Sequence, residues 1–332
     1  MPSFTVFKGS KDGNPVKSTT TRPDELKGDQ VFMRITASGL CGTDLHYKNA
    51  DMALGHEGVG VVEQVGPEVK DLKKGDRVGW GYEHDCCSRC QECLRGNECY
   101  CPQRQMYGYA DLDQGSFGTH AVWREAFLFK IPDGLSDEAA APLMCGGATV
   151  WNALRAYNAQ PTETVGVMGV GGLGHLAIQF AAKMGCRVVV LSGSDSKRDE
   201  ALRLGAHEFH ATKGKTELKF QGPKLNRLLV TTSAMPNWDL VLPNLAPGAV
   251  IHPLAIDEGN LEFPYMPLLL GGHAIQGSIV APRHLHNQML EFAALHQIAP
   301  VTETFPMSEA GIKEAMDRLD KGQVHFRAVL KN

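Results

Sequence analysis

A chain of 332 residues is longer than one compact core usually serves, so two domains of about 150 residues each, with a cleft between them, are expected. Its 43% hydrophobic and 21% charged residues are those of an ordinary globular protein. The formal net charge of -4, with the basic residues scattered, argues against a nucleic-acid partner. The opening "MPSFTVFKGSKDGNPVK" has no apolar stretch of signal-peptide length, and no apolar run of spanning length follows, so a soluble, cytoplasmic protein away from membranes is expected.

Along the first half, "QVFMRITAS", "GVGVVEQVG" and "DRVGWGYEH" alternate apolar and polar residues between Gly, Pro and charged turns, which predicts twisted antiparallel strands in a mainly β region. After about Pro142 the rhythm changes. "TVGVMGVGGLGHLAIQFAAKMGCRVVVLSG" reads as buried strand, glycine turn, helix and second buried strand. Helical and strand patterns then alternate through "EALRLGA", "RLLVTTS", "WDLVLPNLAPGAVIHPLA" and "AIQGSIVA", predicting a doubly wound parallel sheet that ends near residue 280. The remaining segment carries one helical pattern, "SEAGIKEAMDRLDKG", and a final strand, "FRAVL", and needs another domain to pack against.

Gly169, Gly171, Gly172, Leu173 and Gly174 follow a strand and open a helix, the context in which a glycine motif binds dinucleotide pyrophosphate. Glycines allow the tight turn and close backbone approach, and the helix N-terminus favours the anion. At the end of the second strand, where an NAD site commonly has a carboxylate for the ribose hydroxyls, stands Ser192. Gly193, Ser194, Lys197 and Arg198 follow, able to donate to and neutralise a 2′-phosphate, so NADP(H) is the expected cofactor. Two features pull the other way: Asp195 would repel a phosphate if it pointed inward, and the Lys-Arg pair also suits a solvated helix start.

Nine cysteines are an odd number, and six crowd into residues 86–101, spacing that suits metal better than a secreted disulfide framework. Cys87, Cys90, Cys93 and Cys101 would form a closed tetrahedral zinc site of structural role. Cys86 and Cys99 each adjoin one of these and offer themselves as replacements. A second, dispersed set is Cys41 in "GLCGTDLH", His56 in "GHEGVG" and Cys145 in "PLMCGG". Singly each suits a core; together they supply three protein ligands and an open fourth position, the arrangement that catalysis requires.

These motifs, with "GSI" near the end, resemble the zinc-dependent medium-chain alcohol dehydrogenases, and most of all their cinnamyl alcohol dehydrogenase-like branch. The resemblance runs from about residue 30 onward. It implies an α/β chain with a mainly β GroES-like catalytic domain over residues 1–146 carrying the lobe 86–101, a Rossmann cofactor domain over 147–280, and a return to the catalytic domain over 281–332. It also implies two zinc ions per chain: a catalytic one on Cys41, His56 and Cys145, and a structural one on Cys87, Cys90, Cys93 and Cys101, with Cys86 and Cys99 as bystanders. Cys2His is also the ligand set for which alcohol dehydrogenases are known. By the same resemblance Asp44 orients His56, and Glu57 lies beside the zinc as an alternate ligand. Thr43 contacts the substrate oxygen, His46 exchanges the proton with solvent, and Thr149 touches the nicotinamide. A homodimer is implied too. The chain departs from the pattern in carrying only 14 residues between Cys41 and His56, a short "YKNADMAL" segment that predicts a pocket open to bulkier aldehydes.

The expected reaction is therefore hydride transfer between NADP(H) and a primary alcohol or aldehyde, aromatic or bulky. Three rivals stand beside it. A same-fold reductase of a conjugated alkene or iminium would lose ligands or relay residues that this chain keeps; a non-catalytic, zinc-stabilised binding protein would have no need of an open metal site; and a nucleic-acid-binding zinc ribbon is opposed by the acidic balance. Trp80, Tyr82, Met106 and Trp123 are candidates for lining the substrate pocket, and equally for core.

Overall fold

The computed structural model describes residues 2–257 and 259–332. These separate into two compact units, one within residues 2–148 and 282–332, the other within 149–281. Nine strands precede the second unit: β1 Ser3–Lys8, β2 Val16–Thr21, β3 Gln30–Leu40, β4 Gly58–Val65, β5 Arg77–Trp80, β6 Glu83–Asp85, β7 Gln105–Met106, β8 His120–Arg124 and β9 Phe129–Lys130. The second unit contains β10 Thr164–Met168, β11 Arg187–Ser192, β12 Glu208–Ala211, β13 Leu225–Val230, β14 Leu245–Pro253 and β15 Ala274–Ile275. β16 Thr302–Pro306 and β17 Arg327–Lys331 return to the first unit.

In the first unit, seven strands make one sheet in the order β16-β17-β3-β4-β5-β9, with β8 also paired to β3; all pairs are antiparallel except β16 with β17. β3 is its axis. Val31, Met33 and Ile35 alternate inward along it and pack with Val62, Val78, Trp80, Ala121 and Trp123, while Leu40 joins Phe7, Leu54, Phe117 and Leu330 in a second cluster. The alternation read from "QVFMRITAS" thus becomes a buried face, as a period of two requires. Trp80 and Trp123 are core residues, their rings 5.6 Å apart.

The second unit is a six-stranded parallel sheet in the order β12-β11-β10-β13-β14-β15. That order, with β11 and β12 running outward on one side of β10 and β13, β14 and β15 on the other, defines the doubly wound Rossmann arrangement. Every residue of β10 is buried, the expected signature of a central parallel strand covered on both faces. Gly169, at φ +94°, makes the turn into the helix Gly174–Lys183.

Two expectations need correction. The segment after residue 281 holds two helices, Arg283–His296 and Glu309–Asp320, and two strands rather than one of each. The overlooked helix buries Leu285, Met289, Leu290 and Ala293, one face at helical spacing, but its His, Asn and Gln residues dilute the pattern. The strand expected through "AIQGSIVA" shrinks to Ala274–Ile275 at the edge of the sheet, where one neighbour supports it. Among the described residues no helix is long and apolar enough to cross a membrane.

Candidate active site and metal centres

Cys41 precedes a single helical turn, Gly42–His46, and the third residue of that turn, Asp44, reaches back so that Oδ2 accepts the Cys41 N–H at 2.9 Å. This reciprocal cap explains the "CGTD" spacing: an acid at the third position satisfies an otherwise orphaned donor. The other Asp44 oxygen, Oδ1, lies 3.0 Å from His56 Nδ1. His56 Nε2 is buried with no hydrogen-bond partner among the described residues. Cys145 comes from the wide turn Leu143–Gly147, of π-helical form, at the end of the helix Asp137–Pro142.

Cys41, His56, Glu57 and Cys145 each present a donor atom within 4.8 Å of those of the other three. Their chemistry fits a cation. A hydrogen bond from Cys145 holds the Cys41 thiol well below its usual range, and the same pairing, with burial, pushes Cys145 well above it. A divalent ion would let both sulfurs ionise and would give the unpartnered imidazole nitrogen an electron-pair acceptor. The charge of Asp44 on Nδ1 orients the ring for that purpose.

Glu57 is fully buried and both carboxylate oxygens receive Arg327, which reaches in from β17. Burial raises the Glu57 pKa to about 7 against the pull of the guanidinium. The carboxylate fits because residue 39 on β3 is glycine: a Cβ there would meet Glu57 Oε2 at 1.9 Å. Thr43 Oγ1 stands 3.6 Å from Cys41 Sγ and is buried, whereas His46, at the end of the same turn, is exposed. Tyr82 turns its ring edge-on to His56, centroids 5.6 Å apart. Met106, on β7, is buried. The short "YKNADMAL" segment is pinned to the N-terminal strand pair: Gly9 N–H donates to Met52 O, and a Cβ on Gly9 would meet three carbonyl oxygens of the segment within 2.7 Å.

Cys87, Cys90, Cys93 and Cys101 form the other donor group. Cys87–Cys93, Cys90–Cys93 and Cys87–Cys101 sulfurs are 3.9, 3.5 and 3.5 Å apart. A tetrahedral ion with metal–sulfur bonds of about 2.3 Å would hold its thiolates about 3.8 Å apart, so the lobe has the dimensions of a closed site. Backbone N–H groups of Arg89 and Cys90 stabilise the Cys87 thiolate and lower its pKa to about 6. Cys86 and Cys99 lie outside this group of four.

In the second unit Gly171 and Gly193 face open space, and Gly174 has none: a Cβ on it would meet Gly169 O at 1.9 Å. Gly172 and Leu173 complete the turn into the helix. Ser192 ends β11, Gly193 and Ser194 are exposed beyond it, and Lys197 Nζ donates to Val170 O at 2.7 Å. The Arg198 guanidinium pairs with Asp195 and donates to Phe209 O, so Asp195 has a counter-charge beside it. Thr149 lies in the first turn of the helix Ala148–Arg155.

Sequence reasoning missed Tyr107, Arg327 and Ser116. Tyr107 Oη donates to Asp44 Oδ1 at 2.9 Å, and Ser116 Oγ accepts the Glu57 N–H at 3.2 Å. An arginine inside the apolar strand "FRAVL" was a readable sign of a buried charge pair; nothing in "RQMYGY" marks Tyr107.

A chain of two units, one a doubly wound parallel sheet and the other carrying a cysteine-histidine donor group that could hold a metal ion, defines a class, and comparison with known proteins gives its family. Residues 27–133 match the family described as "Alcohol dehydrogenase GroES-like domain" and residues 172–295 match "Zinc-binding dehydrogenase". An alcohol dehydrogenase of Geobacillus stearothermophilus is 34% identical over 328 residues, 96% of each chain. The NADP-dependent alcohol dehydrogenase C 1 of Mycolicibacterium smegmatis is 33% identical, covering 99% of this chain and 98% of its own. A solved cinnamyl alcohol dehydrogenase from Sorghum bicolor superposes with a TM-score of 0.89 at 32% identity, over 99% of this chain and 98% of that one. The chain belongs to the zinc-binding medium-chain alcohol dehydrogenase family.

Proposed function

We propose that the chain is an NADP(H)-dependent alcohol dehydrogenase or aldehyde reductase acting on a primary alcohol or its aldehyde, aromatic or bulky, with two zinc ions per chain. The observation that carries this reading is the buried, unpartnered His56 Nε2 placed with Cys41 and Cys145 while Asp44 holds Nδ1. Cys41, His56 and Cys145 would hold the catalytic ion and leave one position for a substrate oxygen; Cys87, Cys90, Cys93 and Cys101 would hold the structural one. When bound, zinc supplies Lewis acidity that can move a water pKa from about 15.7 to about 7, on the order of 12 kcal/mol, and the nicotinamide supplies the hydride.

The chain's own residues manage the proton. Thr43 and His46 lie three apart on one helical turn and so share a face, one end buried and the other exposed. The Thr43 hydroxyl holds the proton at the substrate oxygen, and His46 passes it to solvent. Glu57, beside the ligands, is the alternate donor when water leaves.

Gly169, Gly171, Gly172, Leu173 and Gly174 would take the pyrophosphate, Thr149 the nicotinamide, and Ser192, Gly193, Ser194 and Lys197 the 2′-phosphate. Absence of a carboxylate at Ser192 and the self-neutralised Asp195–Arg198 pair support NADP(H), as does the NADP-dependent mycobacterial relative. Complete retention of Cys41, His56, Cys145, Thr43 and His46 favours carbonyl over alkene or iminium reduction. Residues 1–146, 147–280 and 281–332 are proposed as catalytic domain, cofactor domain and return segment, and the working form as a cytoplasmic homodimer. The test is a kinetic screen of aliphatic, benzylic and cinnamyl-type aldehydes with NADPH and NADH, alongside zinc analysis. Preference for NADPH and an aromatic aldehyde at two zinc ions per chain is expected; activity confined to small aliphatic aldehydes, or active enzyme with lobe zinc alone, would refute it.

A further inference from the structure

We propose that Tyr107, whose buried hydroxyl donates to the same Asp44 oxygen that receives His56, is a positioning residue that holds the imidazole on its metal. The inference rests on the zinc reading of Cys41, His56 and Cys145 and goes beyond it by assigning a residue outside the ligand set.

Asp44 Oδ1 lies at the centre of three donors: His56 Nδ1 at 3.0 Å, Tyr107 Oη at 2.9 Å and the Gly55 N–H at 3.2 Å. Tyr107 Oη in turn accepts the Gly55 N–H at 3.0 Å, which fixes the direction in which the phenol must donate. Oδ2 is tied to the Cys41 N–H. Both carboxylate oxygens are thereby engaged, which holds Asp44 against His56. The Tyr107 ring also lies beside the imidazole, centroids 4.7 Å apart and tilted by 33°, and Tyr82 meets the imidazole edge-on. Tyr107 is itself fixed, 1% exposed, with its N–H on Tyr82 O at 2.8 Å.

A charge-assisted hydrogen bond from a fixed phenol does two things here. It removes the torsional freedom of Asp44, so the imidazole presents its free nitrogen in one direction. It also ties Asp44 to a second element of the fold, so that the contact with Nδ1 does not depend on Asp44's own helical turn alone. Substituting phenylalanine retains the ring packing and removes only the oxygen, so the change tests the hydrogen bond rather than the wall.

The experiment times the transfer of zinc from the holoenzyme to a chromophoric chelator, for the natural chain, Tyr107→Phe and Tyr82→Phe, and records the visible spectrum after cobalt replacement at the catalytic position. Partners behind a ligand typically change metal affinity by 10–100-fold. Tyr107 acts one bond further out, and release from the dispersed site should quicken about 3- to 10-fold in Tyr107→Phe, with release from the four-cysteine lobe unchanged, the cobalt bands shifted and Tyr82→Phe like the natural chain. Unaltered release and spectrum in Tyr107→Phe would overturn the assignment, as would equal acceleration at both sites, which is general loosening. Finding no zinc at the dispersed site of the natural chain would instead sink the metal reading on which it rests.

Discussion

Lys197 Nζ donates to Val170 O, so the cation that follows the second strand is held at the glycine turn itself, while its neighbour Arg198 is spent on Asp195. Lys197→Ala should therefore raise KM for NADPH about tenfold and leave NADH nearly untouched, because a hydrogen bond to a charged group contributes about 1.5–3 kcal/mol. Arg198→Ala should change neither by more than about twofold. Ser192→Asp should invert the preference. Steady-state kinetics with both cofactors checks all three, and equal effects of the Lys197 and Arg198 changes would contradict the assignment.

The glycines of the turn divide by role. Gly174→Ala drives a methyl into Gly169 O and should destabilise the second unit, by about 1–3 kcal/mol as overpacking does. Gly171→Ala meets no protein atom and should fold normally but bind dinucleotide more weakly. Thermal unfolding separates the first and cofactor fluorescence titration the second.

Arg327→Ala leaves Glu57 buried without its counter-charge, a loss of about 3–5 kcal/mol in urea unfolding. Replacing both at once, Glu57→Leu with Arg327→Met, should cost far less in stability, since it is the stranded charge and not the missing pair that is expensive.

His286 is buried and stacked on Phe129 at 3.9 Å, and burial pushes its pKa down to about 3. The unfolded chain takes up a proton near pH 6.5 that the folded chain refuses until about pH 3, so stability falls as pH drops through that interval. At 1.36 kcal/mol per unit this residue accounts for about 2 kcal/mol between pH 6.5 and pH 5. His286→Leu should flatten the slope by that amount in denaturation series at the two pH values; an unchanged slope would refute the account.

Cys145→Ser should reduce zinc from two ions to one per chain and abolish turnover with little change in melting temperature. Cys101→Ser should also leave one ion but lower the melting temperature, because closed four-thiolate sites contribute directly to folding. Elemental analysis with calorimetry distinguishes the two.

Much of this was legible because it is periodic or because a turn demands glycine. The β10–β11 unit follows from its apolar runs, and the cysteine lobe from spacing inside 15 residues, where chain reach leaves few alternatives. Contacts made across the fold were not legible. Arg327 meets Glu57 from 270 positions away, and Tyr107 reaches Asp44 across 63; no local rule links them. The pairing of Arg198 with Asp195 three residues earlier was likewise not legible, since neither charge says where its side chain will turn. Trp80 and Trp123 were ambiguous until the register of β3 with β4 and β8 turned both inward.

β17 is inserted between β16 and β3, so the central strand of the first sheet gains one neighbour only from the last residues of the chain. During synthesis the ribosome will have completed both halves of the glycine-turn unit before Arg327 emerges. Until then Glu57 lacks the guanidinium that both its oxygens receive. Without that strand every residue of the donor group would remain, but Glu57 would lie buried with its charge unpaired.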